Sequence, residues 1–162
     1  MFNIQYIINN ISLSWSEIQY CLRQSFLGSD EVIYIAKTYY GVKDSSPLVL
    51  DLVLIQDNEW FKVLPIVEEL AKHEEFNEGI FYEKWVYLTL LWIYENREKI
   101  ADPIEEIQNI YYLHLGISNI ETWPFNYKNW YVEGASKEEN TNTIYRNWKY
   151  YLQEKSLIYK PK

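Results

Sequence analysis

Only one cysteine, Cys21, occurs in the 162 residues. No internal disulfide can staple the fold, and such usage fits a reducing compartment. Glycine and proline number 5 each, which suits helices joined by short connections. Histidine is nearly missing too. His73 and His114 are the two present, and neither has a glutamate three residues before it, so the Glu-x-x-His pattern of helical di-iron sites does not occur. The sequence contains no glycine-rich phosphate loop, no serine nucleophile elbow and no zinc-ligand spacing. The uncharged run Trp85–Tyr94 falls well short of the ~20 apolar residues that cross a bilayer. The opening residues Met1-Phe2-Asn3-Ile4 lack a basic n-region, and no small-residue cleavage site follows, so the sequence predicts no signal peptide and a cytoplasmic protein. These absences leave no expected catalytic residue, cofactor or metal.

Aromatic residues, by contrast, make up 18%, with 7 Trp and 16 Tyr, and hydrophobic residues 48%. That composition argues for a folded globule, and the length suits one domain, residues 1–162. The chain is organised around Phe81–Tyr94. In this stretch Phe81, Trp85, Leu88 and Trp92 fall on one helical face, and Tyr87, Leu91 and Tyr94 on the opposite one. A helix apolar nearly all round is a buried one.

Capping signals place the other elements. Residues 2–11 read as an apolar lead-in. Ser14-Trp-Ser-Glu17 is a capping box, opening a helix that Gly28 should stop. Ser29 restarts a helix that Gly41 ends. Ser46-Pro47 reads as a cap and first helical position. The segment 48–55 would suit a buried strand by composition, but no second strand-like run exists to pair with it, so the expectation is a helix. Asp57-Asn58 begins the next helix, which Pro65 should kink or restart at Leu64. Asp102-Pro-Ile-Glu105 opens a helix ended by Gly116. Residues 117–135 lose periodicity, and Ser136-Lys-Glu-Glu139 is a further capping box. The basic tail from Ser156 should fray. The expected fold is all-α, a single-domain bundle of about seven helices. Antiparallel hairpins 15–27 with 30–40, 47–56 with 58–74 and 82–99 with 103–114 permit an orthogonal bundle or a short stack of helix pairs.

The run Leu91-Trp-Ile-Tyr-Glu-Asn-Arg97, leading into Asp102-Pro-Ile-Glu-Glu-Ile107 and Ile110-Tyr111, resembles an uncharacterised bacterial family of small acidic proteins that carry a domain of unknown function. The likeness is densest over 85–112 and looser over 48–71. It implies an all-helical fold and brings no established activity. Small acidic bacterial proteins of this general kind are often immunity proteins for secreted toxins, an analogy by type.

Charge gives the functional expectation. The formal net charge is −8. Residues 57–106 hold 13 Asp/Glu against 5 Lys/Arg, whereas residues 143–162 hold 5 Lys/Arg against Glu154 alone. The acidic body argues against general nucleic-acid binding, which needs a basic surface. It suits a basic protein partner, although solubility alone accounts for such charge. The aromatic loop residues Trp123, Phe125, Tyr127, Trp130 and Tyr131, with Glu68, Glu69 and Glu75, are the candidate protein-binding set, since aromatics dominate interface hot spots. Against this stands a loop that simply packs on the core. The leading expectation is therefore a non-enzymatic protein-binding module, in its specific form an immunity-type inhibitor of a basic toxin. The alternative is an enzyme using two of the carboxylates Glu95, Glu98, Asp102, Glu105 and Glu106 as acid and base. Helix capping by Asp102 and Glu105 explains part of that cluster without catalysis. Basic residues interleaved with aromatics over 145–151 could bind single-stranded nucleic acid. The structural reading buries Tyr145, Trp148 and Tyr151. Glu69 and His73, one helical turn apart, are more readily a surface pair than metal ligands, and Cys21 reads as a core residue.

Overall fold

Most helices begin where a short polar side chain accepts from the first turn. A computed structural model describes residues 2–114 and 132–161, the side chains of 110–114 excepted. Among the described residues there are eight α-helices and no strand. We number them α1 (Ile4–Asn10), α2 (Trp15–Arg23), α3 (Ser29–Tyr39), α4 (Pro47–Val53), α5 (Val63–Ala71), α6 (Glu78–Asn96), α7 (Pro103–His114) and α8 (Lys137–Tyr159). Single 3₁₀ segments occupy Asp57–Lys62 and Arg97–Lys99.

The predicted caps form. Ser14 Oγ accepts from the Glu17 amide at 3.2 Å, and Glu17 Oε2 accepts from the Ser14 amide at 2.7 Å. Ser136 and Glu139 repeat this exchange at 3.2 and 2.8 Å. Asp102 Oδ1 accepts from the amides of Ile104 and Glu105, both at 3.0 Å. The segment 48–55 is helical to Val53, with Ser46 Oγ accepting from the Val49 amide at 3.4 Å and Pro47 at the first position. Pro65 sits in the first turn of α5, where its missing N–H costs nothing, and the chain before it winds as the 3₁₀ segment.

Three boundaries differ from expectation. α2 stops at Arg23, well before Gly28, because Ser25 takes a left-handed φ of 59°. The Phe26 amide then reaches the Cys21 carbonyl at 2.8 Å and the Ser25 amide reaches Leu22 at 3.2 Å, the two bonds of a Schellman cap. α6 begins at Glu78, ahead of the expected start at 81–82, and Asn77 Oδ1 opens it by accepting from the Ile80 amide at 3.0 Å. α8 runs through the expected frayed tail to Tyr159, a residue only 5% exposed.

The described chain divides into two compact units, residues 1–83 with 161–162, and residues 84–160. In the first, α3 packs on α4 and α2 packs most extensively on α5, so one helix pair nests inside another. Glu74 Oε2 accepts from the Ser16 amide at 2.7 Å, near the start of α2, and Glu68 meets Arg23 at its end, also at 2.7 Å. The two helices are therefore antiparallel. Ile18, Cys21, Val32, Ile35, Val49, Leu52, Val63 and Val67 fill the space between these helices and are fully buried. The Tyr39 hydroxyl closes the base of the unit, donating to the Leu13 carbonyl and accepting from the Leu13 amide, both at 3.0 Å. Lys43 lies 4.1 Å over the Tyr39 ring and donates to Leu13 O at 2.6 Å. Trp15 Nε1 donates to Asp44 at 3.0 Å. In the second unit Leu88, Leu90, Ile93, Ile107 and Trp148 are buried, and the Tyr87 ring meets Tyr159 at 5.7 Å.

α6 carries the predicted all-round apolar surface. Phe81, Tyr87, Leu88, Leu90 and Ile93 are buried and, at 100° per residue, point in every quadrant of the helix. Trp92, expected to share the Phe81 face inside, is 41% exposed.

Candidate functional site

The acidic candidates sit on the first unit. Residues 51–78 carry 8 Asp/Glu against 2 Lys/Arg, net −6. Glu68 pairs with Arg23, and Glu69 with Lys72 at 3.1 Å. Both pairs are substantially solvent-exposed, so each is worth little in stability. Glu75 is exposed at the turn that follows α5. The five aromatic candidates Trp123, Phe125, Tyr127, Trp130 and Tyr131 lie outside the described residues.

A second aromatic group lies beside the acidic one. The 3₁₀ segment Asp57–Lys62 buries none of its residues. Trp60 is 63% and Phe61 59% exposed, with their rings edge to face at 6.3 Å. Leu64 follows one turn later at 36%, and Leu54, at the end of α4, is 65% exposed. Glu59 ties together both ends of the segment. The Glu59 carboxylate takes the Lys62 ammonium and also accepts from the Gln56 amide at 3.3 Å. The Lys62 bond, then the Gln56 amide, hold the Glu59 carboxyl below the ordinary carboxylate range. Leu64 and Glu68 are four residues apart, so the apolar group runs along one side of α5 into the acidic one. Sequence periodicity places large aromatics inside, and so passed over this pair. The available signal was local: Trp60 and Phe61 are hemmed by Asp57, Glu59 and Lys62.

Several of the remaining candidates serve the fold. In the turn after α6, Asp102 caps α7. Arg97 donates to the Tyr94 carbonyl at 2.7 Å, lies 4.5 Å over the Tyr94 ring, and approaches Glu98 only at 3.7 Å. Tyr94 in turn meets Trp148 edge-on at 5.1 Å, and Trp148 stacks on Tyr145 at 5.8 Å. That ladder buries Trp148 completely and leaves Tyr145 and Tyr151 half-buried, while Tyr150 is 62% exposed. Burial, and secondarily the negative charge of Glu17, push the Cys21 thiol up to about 12, which keeps it protonated and inert. His73 is exposed, and its expected partner Glu69 turns to Lys72. His114 has no described side chain. Among the described residues no three His, Cys, Asp or Glu side chains converge as metal ligands, and no helix is long and apolar enough to cross a membrane.

The model of a bacterial family described as "uncharacterized protein conserved in bacteria" (DUF2247) matches residues 4–156. No curated protein and no solved structure matches the chain significantly.

Proposed function

The chain belongs to this bacterial family of uncharacterised proteins, and we propose that it works as a non-enzymatic protein-binding module for a cationic partner, in its specific form an immunity-type inhibitor of a basic toxin. One observation carries the reading: the charge of residues 51–78 is −6 on an outer surface whose carboxylates are largely solvent-exposed. A field of one sign raises the encounter rate with a protein of the opposite sign and disfavours partners of like charge. Against the enzyme alternative at 95–106 stands that Asp102 caps α7 and Arg97 donates to the Tyr94 carbonyl.

The test is binding of the full chain to purified basic proteins, including the product of the gene next to its own, followed across salt concentration. A one-to-one complex that weakens about tenfold or more between low and high salt is expected. Salt-independent binding, or no complex with any basic protein, overturns the reading.

A further inference from the structure

We infer that Trp60, Phe61 and Leu64 form the apolar anchor of an interface for a basic polypeptide, with Asp57 and Glu68 at its acidic rim. This rests on the binding-module reading and assigns it a location other than loop 123–131. A six-residue element with no fully buried residue adds little to the core, yet this one holds two large aromatics more than half exposed. Glu59 bonds to the Gln56 amide and to Lys62, and the segment continues directly into α5. A rigid aromatic pair loses little conformational freedom on binding, and Trp is the residue most enriched at hot spots. The surrounding charge decides the occupant. Residues 51–78 at net −6 disfavour an acidic or nucleic-acid ligand and favour a surface that brings Arg or Lys to the rim and an apolar side chain to the centre. An arginine can stack on the Trp60 face while pairing with Asp57, one turn away in the same segment.

The probe is a displayed library of random 16-residue peptides selected on the intact chain, with enriched peptides then titrated against wild type, the double variant W60A/F61A and the control L157S/I158S. Trp60 and Phe61 are exposed, so the double variant retains the fold, which an unchanged thermal midpoint verifies. A further variant, Leu64→Lys, blocks the same surface without touching either aromatic. The expected result is enrichment of Arg/Lys-rich peptides bearing an apolar residue, with affinity falling at least about 30-fold in W60A/F61A and not in the control. Basic peptides that bind the double variant and Leu64→Lys undiminished overturn this inference and leave the acidic-surface reading standing. Peptides without basic character, or no enrichment, overturn both. A wild-type dimer that W60A/F61A dissociates would make a second copy the occupant, which also overturns the inference.

Discussion

Ser25 holds a conformation that L-residues avoid. Its φ of 59° is the left-handed value at which a side chain crowds the following carbonyl, at a cost of roughly 1–2 kcal/mol. The Schellman cap at the end of α2 needs that value, and serine supplies it where glycine is usual. Ser25→Gly relieves the crowding and adds some chain entropy in the unfolded state, which offsets part of the gain. A net stabilisation of about 0.5–1 kcal/mol is expected, read as a higher urea midpoint with unchanged slope; a lower midpoint would show that the serine side chain does more than tolerate the turn. This residue also explains why the end of α2 could not be read in the sequence. Apolar spacing continues through Phe26, and Gly28 offers a ready stop. The actual stop depends on a backbone state that serine adopts only when Phe26 and Leu27 are drawn back to the Cys21 carbonyl. The helix starts were legible for the opposite reason. The Ser14–Glu17 and Ser136–Glu139 exchanges close within one turn and need nothing from the rest of the fold.

At the scale of elements, α8 shows what tertiary contact adds to local propensity. Its last turn, Ser156–Tyr159, has no basic side chain to hold the terminal carbonyls and no glycine cap, and the basic, exposed composition around it reads as a frayed tail. Tyr159 settles it by packing against Tyr87, whose own hydroxyl engages Ser156. Truncation after Lys155 removes that ring and the final turn together. The expected cost is about 3 kcal/mol, the usual range for deleting a buried aromatic, measured as a fall in the urea midpoint. Tyr159→Phe, which keeps the ring, should retain most of the stability. If truncation leaves the midpoint unchanged, the last turn is not held by its tyrosine. The 3₁₀ segment is the converse case: residues 57–62 have the aromatic content of a core element, yet leave Trp60 and Phe61 each more than half exposed. Glu68 and Glu69 were legible as candidates because charge is read directly from sequence. Trp60 and Phe61 were not, because hydrophobicity alone does not say which side of the surface a ring will occupy.

For the whole molecule, the charged and buried titratable groups set opposite limits of pH. On the acid side, the carboxyls of Glu59 and Glu139 lie below their ordinary value, the first through Lys62 and the Gln56 amide, the second through the Ser136 amide and hydroxyl. Asp44 shifts the same way: its partial burial raises it, but the Ser46 amide and the Trp15 indole outweigh that. A carboxyl whose folded value is depressed stabilises the fold above its unfolded value, and this contribution is lost as pH falls through the folded one. On the alkaline side the sign reverses. Burial, with the charge of Glu17 adding, raises Cys21 from 9.0 to about 12, and burial raises Tyr39 from 10.0 to about 12. Their neutral forms are favoured by the fold, so the stabilisation is complete below pH 9 and drains away as pH rises from there toward 12. Both groups sit in the first unit, so its packing should be the first to fail in alkali. The expected urea midpoint is flat through neutrality and falls steeply above about pH 9. Cys21→Ala lowers the plateau by opening a small cavity but makes the alkaline fall shallower, because one proton fewer is released on unfolding. An equally steep fall in that variant would place the alkaline limit in groups other than the buried thiol.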